Sequence, residues 1–586
     1  MTTSRNILLV VGAFMSASLV HAEEAPVQEE RSAIGARNTS VGEEMAALPQ
    51  LVAPDKPATR IMLAPTELPP PVLQTINGDL NSDGTIDGAD IAALLEQYGA
   101  CPAGHLCQGD LNVDGFVDSS DLNILNTKLG QIIPLPPTAE RSDRFRVGYV
   151  LPVAGNVLAN VNLQPTATGE LVARVELQSL KAKGLRVQFD NLAQSGTRVR
   201  VYDPAPGGVA VFGPFSSPGF SDDGTWWSPT IYGDTIGLEF EADGDKANAM
   251  LPVITAIAYI YTCDCSTGPG TPLSCHNDVT CQATWANGEA RGVGQMSFIS
   301  AGSCFICTGA LLNRSNGDFS PIFMTARHCI STQAEAGTLE VRWPYQTATC
   351  NGTVPGWNTV PRTNGSLLLK LHTNTDWSLL GLYQPPGGDF YLGWSASSWA
   401  SGGTATGVHH PNGSFKRIST GTSAGSTDGA TFCDTSVPPI CFNANVWNVS
   451  YTSGTTEGGS SGSPIFDVNR QVRGTLSGGA SGCATITKRY GRLDQAWNNL
   501  RYYIDGNWIP ASDTFVNRNV SGDTGNDGSS EQGTSANPFN TVYEASFCVR
   551  SGNTLQITPG NYNERMTMWR PMTLRLNGAG SVIIGQ

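Results

Sequence analysis

The sequence predicts a mainly β, multidomain protein, and three observations carry that prediction. The chain has 586 residues, which at roughly 150 per domain corresponds to several folded units. Charged residues are only 15%, while Gly (66) and Pro (36) are abundant. That balance favours loop-rich β domains over helical bundles. Short alternating segments such as Leu171-Val172-Ala173-Arg174-Val175-Glu176-Leu177 and Leu185-Arg186-Val187-Gln188-Phe189 recur between Gly, Pro, Asp and Asn turns, as half-buried strands require. Hydrophobic residues at 40% are enough to build cores and exclude wholesale disorder. Lys plus Arg is 35 against 50 for Asp plus Glu, a net charge of −15, which speaks against nucleic acid as a partner.

The first element, 1–22, is expected to be a signal peptide. Arg5 gives a basic start, Ile7 to Val20 is apolar but too short to span a bilayer, and Val20-His21-Ala22 offers a small-residue cleavage site. No later stretch reads as a transmembrane segment. A secreted protein is expected, extracellular, periplasmic or at the cell surface, and its 14 cysteines then point to disulfides. Residues 23–75 are rich in Glu, Pro and Ala without an apolar period and read as a linker.

Residues 76–132 carry one motif twice, DLNSDGTIDGAD from Asp79 and DLNVDGFVDSSD from Asp110. Asp79, Asn81, Asp83, Asp87 and Asp90 in the first copy, and Asp110, Asn112, Asp114, Asp118 and Asp121 in the second, put oxygens at positions 1, 3, 5, 9 and 12. The carbonyls of Thr85 and Phe116 supply position 7, and Gly84 and Gly115 permit the turn. Calcium takes six to eight such oxygens, so two Ca2+ ions are expected here and none is required for catalysis. A helical apolar run follows each loop: Ile91, Leu94, Leu95, then Leu122, Leu125, Leu129. The duplicate resembles a type I dockerin. The resemblance implies a cohesin-type scaffold partner, chosen through exposed positions such as Gly88, Ala89, Ser119 and Ser120. Cys101 and Cys107 are expected to close a local disulfide.

Residues 142–262 read as an antiparallel β-sandwich. A Gly/Pro/Ser link leads into the largest unit, 272–505, whose many glycines and short strands suggest β-barrels. Three segments in it carry chemistry: Thr325-Ala326-Arg327-His328-Cys329, Asn374-Thr375-Asp376-Trp377-Ser378, and Gly459-Ser460-Ser461-Gly462-Ser463-Pro464. His328, Asp376 and Ser461 follow in that order, 48 and 85 residues apart, close to the roughly 45 and 93 of a His-Asp-Ser peptidase order. Each motif alone is weak; together, in a secreted β-rich segment, they predict a nucleophilic hydrolase.

TARHC, TDWSLL, VHHPNGSFKRIS and EGGSSGSP together resemble the bacterial lysyl endopeptidase branch of the trypsin-like serine peptidases. The resemblance implies a double six-stranded β-barrel acting on protein or peptide substrates. Ser461 attacks the scissile carbonyl, His328 takes and returns the proton, and buried Asp376 orients His328. The backbone N–H groups of Gly459 and Ser461 form the oxyanion hole. The resemblance also implies disulfides Cys275 to Cys483, Cys281 to Cys350 and Cys307 to Cys329. Cys433 and Cys441 bracket a short loop and are expected to pair locally, whereas Cys263, Cys265, Cys304 and Cys548 stay unassigned.

The resemblance places the specificity pocket at Thr455, Ser477, Gly478, Gly479 and Lys488. Lysyl endopeptidases carry an Asp shortly before Tyr-Gly-Arg, where it meets the substrate lysine; here Lys488 stands before Tyr490-Gly491-Arg492. Trypsin's own acid would fall at Thr455. Lysine specificity is therefore doubtful: either Lys488 lies in the pocket and favours an acidic or neutral residue, or it is solvated on a surface loop. Ser460 replaces the Asp that pairs with a new N-terminus in chymotrypsin-like zymogens. The sandwich instead resembles the pro-region upstream of such peptidases, or is a binding module using Trp226 and Trp227. A maturation cut between Tyr261 and Cys275 would detach the dockerin-like unit unless Cys263 or Cys265 bridges back. His409-His410 belongs to the peptidase pattern rather than to a metal site.

Residues 506–586 read as a linker and a stub resembling the first coil of a parallel β-helix, from NPFNTV at Asn537 and LQITPGNYNE at Leu555. Such a stub must pack on something else, join end to end, or stay partly disordered. The sequence-level alternative to a peptidase is a calcium-dependent surface or scaffold attachment protein with a non-catalytic peptidase fold. A carbohydrate-active enzyme lacks any recognisable carboxylate pair.

Overall fold

The computed structural model describes residues 50–63, 144–261 and 272–505 apart from short internal gaps, 513–519, 531–585, the strands Gly35–Ala36 and Ala139–Arg141, and parts of 90–128. The expected signal peptide, most residues of the two acidic loops, and Cys101, Cys107, Cys263 and Cys265 lie outside the described residues. Among the described residues no helix is long and apolar enough to cross a membrane.

Within residues 144–261 the alternating segments form two packed sheets. One runs Val211–Phe215, Arg198–Tyr202, Thr235–Ala242, Leu171–Gln178. The other is built on Gly184–Asp190, Val253–Ile260 and Phe145–Pro152. Inward-facing Val175, Leu177, Val187, Phe189, Val201, Leu238, Phe240 and Ile257 fill the space between them, as the period of two requires. Trp226 belongs to this core, with its ring 5.7 Å from Phe189 and 4.6 Å from Phe215. Trp227 packs partly buried on a neighbouring cluster with Tyr232 and Trp357, so neither indole forms an open binding platform.

Part of the stretch read as a linker belongs to the sandwich. Thr59–Met62 adds to Leu171–Gln178 as a parallel edge strand, and the amide of Val52 donates to Glu239 Oε1 at 2.7 Å. Four residues are too few to show a period, and their hydrogen-bond partners lie more than a hundred residues away.

Residues 272–505 contain two β-barrel-like units. The first is formed by Val293–Ser300, Ser303–Leu311, Ile322–Ala326, Glu340–Arg342, Arg362–Asn364, Ser366–His372 and Trp377–Leu382 around Met296, Phe298, Phe323, Val341, Trp343 and Leu380. The second orders Arg417–Cys433, Thr404–His409, Pro464–Phe466, Val472–Gly478, Thr487–Arg492 and Cys441–Ser453, and closes because its first and last strands also pair. Closure removes the exposed edges, and Trp447, Tyr451, Ile465, Leu476 and Tyr490 fill the interior.

The sandwich is not a separate bead. Strand Phe145–Pro152 pairs with Val253–Ile260 on one side and with Ser303–Leu311 of the first barrel-like unit on the other, so one sheet runs through both units. Beside that seam lies buried Glu340, which accepts from Thr230 Oγ1 at 2.7 Å, Arg362 Nη1 at 2.8 Å and Arg342 Nη2 at 3.2 Å. Arg342 also donates to Tyr232 Oη at 2.6 Å, and Arg186 donates to the Thr338 carbonyl at 3.0 Å. Burial pushes the Glu340 carboxyl up, but Arg342, Arg362 and Arg186 outweigh it and hold the group well below the usual carboxylate range.

The C-terminal residues also dock on the 272–505 unit. Thr514–Val516, Thr554–Ile557 and Thr573–Leu576 form a parallel sheet, and Gly560–Tyr562 pairs in parallel with Val582–Ile584. Every residue of helix Val542–Cys548 is buried. Phe547 lies against Gly381, where a Cβ would come within 2.5 Å of the ring, and Tyr543 donates to the Leu382 carbonyl at 3.2 Å. Tyr503, in helix Leu493–Ile504, donates to Glu544 at 2.6 Å. Of the three fates open to the stub, it takes packing on a neighbour.

In the duplicated acidic unit, Leu94, Leu125 and Val117 are fully buried together, with Ile91, Leu111 and Leu122 against them. Leu95 faces outward. Ser119 and Ser120 are exposed where helix Ser119–Lys128 begins.

Candidate active site

The site lies where elements from both barrels meet. His328 follows strand Ile322–Ala326, and the Cys307–Cys329 disulfide anchors the next residue to the neighbouring strand. Asp376 closes the single turn Thr373–Thr375 with φ 55°, a left-handed conformation that Asp tolerates better than most side chains. Its Oδ2 lies 2.7 Å from His328 Nδ1, its Oδ1 accepts from the His328 amide at 2.9 Å, and its carbonyl accepts from the Arg327 amide at 2.9 Å. The carboxylate is almost completely buried, so it fixes both the ring and the backbone that carries it. The ring of Phe442 stacks on the imidazole, centroids 5.5 Å apart at 20°.

Ser461 is buried at the end of the Gly-rich loop, and its carbonyl accepts from the Thr308 amide at 2.8 Å. Thr308 Oγ1 donates to the Gly459 carbonyl at 2.9 Å and accepts from the His410 amide at 3.1 Å. Gly459 has φ +84°, and a Cβ there would meet the Gly413 amide and His410 carbonyl at 3.0 Å. Glycine is needed there for both reasons.

Ser460, the residue without the zymogen carboxylate, sits in an internal network. His409 Nδ1 is 2.8 Å from Ser460 Oγ and its Nε2 is 3.1 Å from Ser419 Oγ. Burial, then the charges of His276, His410 and Lys488, hold His409 well below its ordinary pKa, so it stays neutral and bridges the two hydroxyls. Glu457, in the same loop, accepts from the Leu273 amide at 3.0 Å and lies 2.7 Å from His276 Nε2. Neither contact was legible in the sequence, because His276 and Glu457 are 181 residues apart.

Thr455, Ser477 and Lys488 are all buried. Lys488 is not on a surface loop: it lies on strand Thr487–Arg492, facing the same way as Tyr490. Its Nζ donates to the Thr456 carbonyl at 3.0 Å. Period-two alternation sends it inward, while exposed Thr487 and half-buried Arg489 flank it.

The four disulfides Cys275–Cys483, Cys281–Cys350, Cys307–Cys329 and Cys433–Cys441 are all formed. Cys304 and Cys548 are free and buried. His410 hydrogen-bonds the Ser414 carbonyl at 3.0 Å, so each His of the pair is used structurally. Sequence reasoning also missed Phe442 and the strand Ala139–Arg141, which pairs in parallel with Thr431–Cys433 on the hairpin carrying Phe442. Three residues give no detectable period, and Phe442 carries no motif.

Two family models match the chain: the lysyl endopeptidase C-terminal domain over residues 270–493 and the lysyl endopeptidase N-terminal domain over 149–253. A lysyl endopeptidase from Pseudomonas aeruginosa strain PAO1 is 30% identical over 383 residues, covering 62% of this chain and 80% of that protein. Among solved structures, the active form of the Rv3671c protease from M. tuberculosis aligns with a TM-score of 0.28 and 17% identity over 39% of this chain and 87% of its own. The thermostable serine protease AL20, from an extremophilic microorganism, aligns with a TM-score of 0.27 and 16% identity, covering 37% and 98%. By the relative's identity and coverage, this chain belongs to the lysyl endopeptidase family and is a serine endopeptidase.

Proposed function

We propose that peptide-bond hydrolysis is carried out by Ser461 as nucleophile, His328 as general base and then acid, and Asp376 as the group that sets the imidazole tautomer. The observation that supports this most is the double contact of Asp376 with the His328 ring and amide, at 2.7 and 2.9 Å. A non-catalytic scaffold has no use for a buried carboxylate that orients a histidine in this way. The Gly459 and Ser461 amides are read as the oxyanion donors, held by Thr308 and by the positive φ of Gly459. The test is covalent labelling with a fluorophosphonate. The parent is expected to carry one adduct on Ser461, and Ser461→Ala none. An unlabelled parent would count against the assignment.

The duplicated acidic unit is read as a dockerin-like calcium-binding module that attaches the enzyme to a cohesin-type partner. Its donor set, Asp79, Asn81, Asp83, Thr85, Asp87 and Asp90 with Asp110, Asn112, Asp114, Phe116, Asp118 and Asp121, consists of hard oxygens suited to Ca2+. Asp90 and Asp121 are fully buried, and Asp121 Oδ1 accepts from the Leu111 amide at 2.6 Å. That is the inward placement a twelfth ligand needs. We read the parallel C-terminal strands as the start of a β-helix, and the protein as exported.

A further inference from the structure

We propose that Lys488 makes the pocket beside Ser461 a receptor for a carboxylate, so that the enzyme cleaves after Asp or Glu and rejects Lys and Arg. The inference rests on the peptidase reading above and names its substrate class. Three backbone stretches converge there. The segment Thr455 to Ser463 is tied to strand Val472–Gly478 by two bonds of 2.9 Å just past Ser461, from the Gly462 amide to the Leu476 carbonyl and from the Leu476 amide to the Ser463 carbonyl. The third stretch is strand Thr487–Arg492. Lys488 spans all three. Its Nζ is held on Thr456, and its stem lies so close to Gly479 that a Cβ there would be 3.0 Å from Lys488 Cδ.

Among the described residues, two charged neighbours, Glu457 and Arg489, are bonded elsewhere. Glu457, next to Thr456, is bonded to His276, the Leu273 amide and Asn412. Arg489 points to the opposite face, where it donates to Thr427 and Asn448. The ammonium therefore sets the sign of the wall formed by Thr455, Thr456 and Gly479. A substrate lysine would bring a second positive charge into a site of low dielectric, where like charges repel strongly. A substrate carboxylate would instead gain a short, charge-assisted hydrogen bond.

The full-length protein is assayed on fluorogenic peptides that differ only in Glu, Gln or Lys before the scissile bond, with active sites counted by fluorophosphonate labelling. The expected order of kcat/KM is Glu, then Gln, then Lys, with Glu over Lys by about a hundredfold or more. Lys488→Met should bring the Glu-to-Gln ratio to near one while labelling persists, and Lys488→Asp should raise cleavage after Lys. A labelled parent that cuts after Lys as fast as after Glu overturns the proposal, as does an unchanged Glu-to-Gln ratio in Lys488→Met. The parent profile alone decides if either variant fails to fold. An unlabelled parent that hydrolyses none of the peptides sinks the peptidase reading, and this inference with it.

Discussion

His276 Nε2 and Glu457 Oε2 lie 2.7 Å apart, joining the first residues of the catalytic unit to the loop that carries Gly459 and Ser461. The Leu273 amide meets the same oxygen at 3.0 Å. Chymotrypsin-like zymogens order this loop with a freed N-terminus; here an internal clamp of His276 and the Leu273 amide on Glu457 holds it.

The clamp predicts that Glu457→Ala lowers kcat by about ten- to a hundredfold, within the cost of misplacing one oxyanion donor. Glu457→Gln keeps an acceptor for the Leu273 amide and should retain more activity. Separate kcat and KM values check this, because loss of the clamp acts on the transition state more than on binding.

Asp376→Asn leaves a group of the same size beside His328 but presents an amide where the imidazole N–H needs an acceptor. The expected loss is about 10⁴-fold in kcat, with the fold intact by circular dichroism. Retention of more than a tenth of the activity would count against the assigned role of Asp376.

Glu340 is the acid of a buried cluster shared by sandwich and peptidase. Glu340→Gln leaves Arg342 and Arg362 without their counter-charge and should destabilise the protein by about 3–5 kcal/mol, read as a lower denaturant midpoint. The folded-state pKa is depressed, so the unfolded chain binds the extra proton. The stabilisation is complete above the unfolded value of about 4.3 and is lost as pH falls below it toward the depressed folded value. The variant and the parent should therefore converge in stability as the pH drops through that window.

Burial pushes the Cys304 thiol up to about 12. Thiolates, not thiols, react with alkylating agents, so Cys304 should resist iodoacetamide at pH 8 in the native protein and react once it is unfolded. Peptide mass mapping separates the two states. Native modification would mean that the seam between strands Phe145–Pro152 and Ser303–Leu311 opens.

The motifs behind the proposed triad were legible because their chemistry is local: TARHC and GGSSGSP each hold a proposed catalytic residue beside the cysteine or glycine that positions it, and TDWS opens on the turn that carries Asp376. The sandwich was legible through alternation, since Val175, Leu177, Val187 and Phe189 all had to face one core. What stayed hidden depends on distant partners. Thr59–Met62 carries too few residues to show a period, and it is a strand only because Leu171–Gln178 offers an edge. The inward turn of Lys488 follows from the register of its strand against Val449, which a single sequence does not display. The stretches at Asn537 and Leu555 read as the opening of a solenoid, but the helix between them, Val542–Cys548, shares its core with Leu500, Tyr503 and Ile504 of the peptidase.

The most direct test compares kcat/KM of the parent and Ser461→Ala on one peptide substrate, with folding of both checked by thermal unfolding. The account predicts a loss of about a million-fold on removal of the nucleophile, leaving only what binding and the oxyanion donors supply. Hydrolysis by Ser461→Ala at a rate comparable to the parent would contradict it.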